Sequence, residues 1–309
     1  MTLPRRVRIV EVGPRDGLQN EAAPIATADK IAFVDALSAA GHAVIEVSAF
    51  VSPKWVPQMA DAEAVFAGIA RRPGTRYTAL APNIAGLERA LAARVDEVAI
   101  FAAASESFSR KNINQAIDAS LETYRAVCDA AGTAKLPVRA YVSTAFGCPF
   151  EGAVDPAAVA RVSAALIEMG AYEVAVSDTI GIAHPGQVPI VLDAVRARVP
   201  LDKIALHFHD TRGTALANVL TALQLGVTTF DSSAGGLGGC PYAPGATGNL
   251  ATEDLLYMLA GLGIETGVSL EGVLAASRAI EAKLGYALRS RYAAAVSTQR
   301  HKGHGDAQS

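Results

Sequence analysis

Two histidines one residue apart, His207 and His209, sit at the end of a short apolar run, 204–209. Side chains alternate faces along an extended strand, so the two imidazoles point the same way. A same-face pair of imidazoles suits a metal ion and is costly to bury without a partner. The alternative is two unrelated polar residues at a strand end. Further on lies Gly235-Gly236-Leu237-Gly238-Gly239-Cys240-Pro241, with four glycines in five residues, a composition that predicts a mobile segment. It lacks the Lys-Ser/Thr ending of a P-loop. A cysteine carried on such a segment over an active site is a candidate proton donor or nucleophile, which singles out Cys240. Cys148, in Gly147-Cys148-Pro149, is a weaker candidate, and Cys128 lies in a helical pattern and reads as core packing.

Other residues complete a possible centre. Asp16 offers a carboxylate and Asn249 an amide carbonyl. With His207 and His209 they form a mixed oxygen and nitrogen set suited to Mg²⁺ or Mn²⁺ with positions left for substrate. Catalytic Zn²⁺ is the alternative, though its usual sites have fewer, tighter ligands. Asn249 equally suits a helix cap before 250–254. Arg15 can clamp a carboxylate or stabilise an enolate oxygen; its structural alternative is an ion pair, with Glu46 as partner. Glu46 can also orient a neighbouring group. Asp178 is either a base, or a holder of metal-bound water, or a cap of the Thr179-Ile180-Gly181 turn.

The elements that must position these residues alternate regularly. Eight short β-type runs occur at 7–12, 44–50, 76–81, 97–102, 138–144, 173–177, 204–209 and 228–232, separated by Ala-rich helical stretches such as 29–40, 61–71, 114–131, 156–169 and 213–225. Thr27 or Ala28-Asp29 predicts one helix start, and Asp155-Pro156 another, with Asp capping and Pro at the first helical position. Gly41, Gly170 and Gly226 stand just past predicted helix ends. Eight βα units predict an α/β fold, a (β/α)₈ TIM barrel over 1–300, with additional C-terminal helices after about 261. The rival is a doubly wound open sheet, but the turn after its first strand would be Gly13-Pro14-Arg15-Asp16-Gly17, which is not a dinucleotide fingerprint. In a barrel, reactive groups sit at the C-terminal strand ends, which is where Arg15, Asp16, Asp178, His207 and His209 fall, with Glu46 within the second strand.

Composition excludes several classes. A chain of 309 residues, 51% hydrophobic and 18% charged, can bury a large core. A net charge of −3 makes no electrostatic case for nucleic acid or an anionic membrane. Three scattered cysteines make no disulfide framework. No apolar run is long enough to span a bilayer, no signal-peptide pattern opens the chain, and a cytoplasmic location is expected. The tail 301–309 is polar and is expected to be disordered.

Three runs carry a resemblance: Val12-Gly13-Pro14-Arg15-Asp16-Gly17-Leu18-Gln19-Asn20-Glu21, Ser52-Pro53-Lys54-Trp55-Val56-Pro57-Gln58-Met59, and Gly236-Leu237-Gly238-Gly239-Cys240-Pro241-Tyr242-Ala243. Together they resemble the 3-hydroxy-3-methylglutaryl-CoA lyases, over about residues 7–267. The Arg-Asp-Gly and His-x-His parts are shared with a wider set of barrel metalloenzymes, including isopropylmalate and homocitrate synthases. The other two runs are more specific to the lyases. The resemblance implies an acyl-CoA substrate, cleavage to acetoacetate and acetyl-CoA, and Mg²⁺ or Mn²⁺ held by Asp16, His207, His209 and Asn249. It implies Arg15 as catalytic arginine, Cys240 as loop cysteine, and Glu46 and Asp178 at matching acidic positions. It leaves His207 or Asp178 as the base, and a dimer is the expected assembly. Ala49, Ala22 and Arg212 stand where the family usually has Ser, Lys and Tyr. Ala49 adjoins the active strand, so it bears on substrate fit. A relative acting on another 3-hydroxy-3-alkylglutaryl-CoA, or condensing in the opposite direction, is the alternative enzyme. A metal- and CoA-binding regulatory module is the non-enzymatic one.

Overall fold

In the computed structural model, which describes residues 3–22, 24–239 and 248–303, eight parallel strands close into a barrel in chain order. They are β1 (Arg8–Glu11), β2 (Val44–Ala49), β3 (Arg76–Leu80), β4 (Glu97–Ala103), β5 (Val138–Ser143), β6 (Glu173–Asp178), β7 (Ile204–Phe208) and β8 (Thr229–Ser232), and β8 pairs back onto β1. The outer layer comprises α1 (Thr27–Ala39), α2 (Ala62–Gly68), α3 (Ile84–Ala92), α4 (Glu106–Ile113), α5 (Ile117–Thr133), α6 (Pro156–Glu168), α7 (Val188–Arg196) and α8 (Ala215–Gln224). After the barrel come α9 (Thr252–Gly261), α10 (Leu270–Leu284) and α11 (Arg291–Gly303). The expected (β/α)₈ barrel with C-terminal helices is therefore observed. Helix α11 runs three residues into the tail expected to be disordered, and 304–309 lie outside the described residues. No helix among the described residues is long and apolar enough to cross a membrane.

Local sequence explains most boundaries. Asp155 accepts from the Ala157 amide at the start of α6, with Pro156 at the first helical position. Gly41, Gly170 and Gly226 all adopt positive φ past helix ends. Helix α1 starts at Thr27, one of the two expected starts; Ala26 is at its cap position, and the Thr27 hydroxyl donates to Asp61. One detail differs from expectation. The helix expected from 114 is preceded by another, because Asn114 takes a left-handed conformation that ends α4.

The strands are buried on both faces, as in other parallel barrels. Phe50, Phe208 and Phe230 face the helices in the main apolar core. The inside of the barrel is unusually charged. Arg139 on β5, almost fully buried, bonds Glu173 on β6 at 2.7 Å and Asp231 on β8 at 2.7 Å, and Arg8 reaches the same Glu173. Each buried charge here has an opposite partner, which makes loss of any one costly.

Glu11, at the end of β1, is fully buried. Burial pushes its carboxyl from 4.5 up to about 8, against hydrogen bonds that favour the ionised form. A carboxyl that keeps its proton longer in the folded chain than in the unfolded one costs stability as pH rises. The loss begins near pH 4.5 and is complete near 8. Denaturant titrations of wild type and Glu11→Gln across that window should show wild type losing on the order of a few kcal/mol relative to the variant. Parallel stability curves would contradict it.

Candidate active site

The C-terminal rim of the barrel brings Arg15, Asp16, Glu46, His207, His209 and Asn249 together. Arg15 and Asp16 lie in the tight turn Gly13–Gly17 that leaves β1. His207 is on β7, and His209 follows the strand end, where it forms an antiparallel bridge with Asn249. The Leu250 amide donates to the Phe208 carbonyl at 3.0 Å, locking that bridge in register. Asn249 is thus fixed by pairing to the histidine segment, and the α9 cap position is Ala251.

The Nε2 atoms of His207 and His209 are 3.1 Å apart, and with an Asp16 oxygen the three ligand atoms lie within 4.8 Å of one another. Two facing imidazole nitrogens that close need a proton or a cation between them. The Asn249 Nδ2 donates to Asp16 Oδ2 at 2.8 Å and to the Leu237 carbonyl at 3.0 Å, while its Oδ1 is buried without a partner among the described residues. A carboxylate, two imidazoles and an orphaned amide oxygen fit a divalent cation.

Electrostatics prepare the same set. Burial opposes ionisation of Asp16, but Arg15, then His207 and His209, hold it down at about 2. Burial, aided by the charge of His207, pushes His209 down to about 3, so its imidazole is neutral and its lone pair is free to bind a cation. For His207 burial also acts downward, but the Asp231 hydrogen bond and charge outweigh it and move it upward. Asp231 lies 3.2 Å from His207 Nδ1. An Nδ1–H donated there leaves Nε2 with its lone pair toward His209.

Arg15 is held by two carboxylates, Asp16 at 2.7 Å and Glu46 at 2.7 Å, and stacks 5.7 Å from the Tyr141 ring centre. The Tyr141 hydroxyl donates to Glu46 at 3.1 Å. Glu46 therefore orients the guanidinium. A bulge between Glu46 and Ser48 rephases β2: Glu46 pairs with Thr78 and Ala49 with Leu80, so the two share the inner face although three residues apart. Asp178 is placed differently. Register sets Ser177 beside His207 and Asp178 beside Phe208, on the outward face. Its two oxygens accept the Ile182 and Ala183 amides, the turn-capping arrangement.

The rim opens into a cavity of about 710 Å³. Its floor is Arg15, Asp16, His207, His209 and Tyr141, and its walls include Leu80, Phe101, Phe108 and Tyr124, with Trp55 and Lys111 also lining it. The motif runs meet around it. Gln58 donates to the Glu21 carbonyl, and Asn20 to the Gly239 carbonyl. The glycines serve close approach: a Cβ on Gly238 would lie 2.6 Å from Asn249 Nδ2, and one on Gly248 2.0 Å from the Gly238 carbonyl oxygen. Cys240 lies outside the described residues. Cys148 is buried with Ser105 Oγ 3.0 Å from its sulfur, and burial pushes the Cys128 thiol up to about 11, in line with a packing role.

Sequence reasoning missed Asp231, Arg139, Tyr141 and Glu11. A signal existed: Thr229 with Asp231, and Arg139 with Tyr141, are polar-tipped residues two apart in otherwise apolar strands, so each pair shares the barrel interior.

The HMGL-like family model matches residues 6–280. The 3-hydroxy-3-isohexenylglutaryl-CoA/hydroxymethylglutaryl-CoA lyase of Pseudomonas aeruginosa is 55% identical over 296 residues, spanning 96% of this chain and 99% of its own. A crystal structure of hydroxymethylglutaryl-CoA lyase from Pseudomonas aeruginosa superposes with a TM-score of 0.95 at 55% identity, covering 97% of this chain and 100% of the other. An HMG-CoA lyase from Acinetobacter baumannii, solved with coenzyme A and 3-methylmalate, gives 0.90 at 37% identity, covering 96% and 97%.

Proposed function

This chain belongs to the HMGL-like family, and we propose that it is a hydroxymethylglutaryl-CoA lyase, cleaving 3-hydroxy-3-methylglutaryl-CoA to acetoacetate and acetyl-CoA. The observation that carries the reading is the convergence of Asp16, His207, His209 and the orphaned Asn249 oxygen beside a clamped Arg15, at the floor of a cavity of about 710 Å³. The reading assigns Mg²⁺ or Mn²⁺ to those four residues, and a divalent ion there supplies Lewis acidity that lowers the pKa of a tertiary hydroxyl.

The residues divide the work. The hydroxyl loses its proton, the bond between C2 and C3 breaks, C3 becomes the acetoacetate ketone, and the electron pair passes into the thioester enolate. Arg15, fixed by Asp16 and Glu46, faces the cavity and stabilises the enolate oxygen where charge develops. Of the two bases expected, the Asp178 carboxylate is taken up by turn amides and His207 lines the cavity with Nδ1 bonded to Asp231, so a proton it accepts goes to Nε2, the nitrogen it would otherwise offer the ion. Protonation of the enolate carbon, which completes acetyl-CoA, we assign to Cys240 on sequence grounds. The regulatory-module alternative has no use for a guanidinium held by two carboxylates beside a metal set.

Purified, metal-loaded protein supplied with 3-hydroxy-3-methylglutaryl-CoA should release acetoacetate and acetyl-CoA in equal amounts. Metal-dependent binding without products would overturn the reading. A second reading, that longer 3-alkyl groups are also accepted, is favoured by Ala49 on the inner face and by the apolar wall of Leu80, Phe101 and Phe108. Assaying 3-hydroxy-3-isohexenylglutaryl-CoA beside the methyl substrate decides it.

Cys240→Ala should keep its fold and metal but lose most activity, whereas Cys128→Ala and Cys148→Ala should be mild. Thiol alkylation should inactivate, with protection by bound substrate. Label mapped to Cys148, or inactivation persisting in Cys240→Ala, would remove Cys240 from the mechanism.

A further inference from the structure

We propose that Glu11 is a positioning residue for the metal centre: through hydrogen bonds to three separate segments it sets the spacing between Asp16 and Asn249. The inference rests on the metal-centre reading above. One carboxyl oxygen of Glu11 accepts both the Gly13 amide, at 2.8 Å, and the Ala234 amide, at 2.9 Å. The other accepts the Thr252 hydroxyl at 2.8 Å.

Each partner leads to the centre by a short rigid path. Gly13 opens the turn that carries Asp16. A Cβ on Gly13 would stand 2.7 Å from the same Glu11 oxygen, so only glycine permits this approach. Ala234 begins the turn leading to Leu237, whose carbonyl accepts Asn249 Nδ2 at 3.0 Å. Thr252 follows Asn249 closely, and its amide donates to the Ser233 carbonyl at 3.0 Å while the Ser233 amide donates to Leu250 at 2.9 Å. Residues 233–234 and 249–252 are therefore one ribbon, and Glu11 pins that ribbon to the Asp16 turn. A second buried carboxyl strengthens the grip: Glu253 accepts the next amide, Gly235, at 2.8 Å and is itself bonded by Ser277. The hydrogen bonds of Glu11 go to Gly13, Ala234 and Thr252, with the His42 imidazole a further 3.6 Å neighbour, and to none of the four metal ligands, so it acts on the centre through the backbone that carries Asp16 and Asn249.

The test titrates Mn²⁺ into metal-free full-length protein by calorimetry and measures kcat and KM for 3-hydroxy-3-methylglutaryl-CoA. Glu11→Asp withdraws the carboxyl by one methylene, out of reach of all three donors together. It should weaken Mn²⁺ binding and lower kcat by about 10–100-fold, with KM changed by less than about three-fold. Glu11→Gln keeps the shared acceptor oxygen at full reach and should restore both quantities to within about three-fold of wild type, an outcome that a general loss of stability would not produce. The proposal fails if folded Glu11→Asp binds Mn²⁺ as wild type does, or if Glu11→Gln is as defective as Glu11→Asp. Should Glu11→Asp not fold, Thr252→Val removes one of the three bonds and should weaken Mn²⁺ binding by about three- to ten-fold; unchanged binding there overturns the proposal. Wild-type protein that binds no Mn²⁺ would instead overturn the metal-centre reading, so the two failures are distinct.

Discussion

Replacing Asp16 or His207 by alanine should abolish divalent-ion-dependent cleavage, lowering kcat/KM by about a thousand-fold or more. Loss of several kcal/mol of charge stabilisation translates directly into that factor. The two changes act differently. Asp16 is the one carboxylate in the proposed ligand set and is held ionised at about 2, so Asp16→Ala should remove the negative charge that would offset the cation. His207→Ala removes a ligand and also leaves Asp231 facing an empty space beside Arg139. Both variants should show weaker calorimetric Mn²⁺ binding, and Asp16→Ala should show the larger loss. If either keeps wild-type turnover with unchanged metal dependence, the ligand assignment is wrong.

Arg15→Gln should still bind metal and acyl-CoA but cleave about a hundred-fold or more slowly, the scale of a lost oxyanion donor at about 3 kcal/mol. The effect belongs in kcat, because a guanidinium aimed at developing charge stabilises the transition state more than bound substrate. A large rise in KM with normal kcat would show ground-state binding instead. The substitution also strips Glu46 of its 2.7 Å partner in a buried setting, which should cost about 3 kcal/mol of stability. The double variant Arg15→Gln/Glu46→Gln separates the two consequences: stability should recover and turnover should not.

Glu46 shows how far one reading could reach. Its residue type and its strand were legible, and so was a partnership with Arg15. Its inward direction alongside Ala49 was not, since a bulge between Glu46 and Ser48 shifts the strand's phase. Asp178 is the opposite case. Its place at a strand end made it a candidate base, but register with Phe208 turns it outward onto the Ile182 and Ala183 amides. Strand parity relative to neighbours decides such cases, and parity is a property of the closed sheet.

Eight βα units, the helix ends at Gly41, Gly170 and Gly226, and the same-face pair His207 and His209 can all be read from the chain without its fold. All of these follow from local periodicity and backbone preference, which act over a few residues. Once eight such units are granted, the barrel places Arg15, Asp16 and the histidines at one rim. What surrounds them depends on contacts made after the chain folds. Asp231 orients His207 from the next strand, Arg139 spans from β5 to β8, and Glu11 accepts from one amide and one hydroxyl more than two hundred residues away in the chain. These groups are buried polar or charged side chains whose partners lie on other elements. Such pairs leave no spacing in the sequence, because the distance that makes them favourable exists only after the barrel closes and water is excluded.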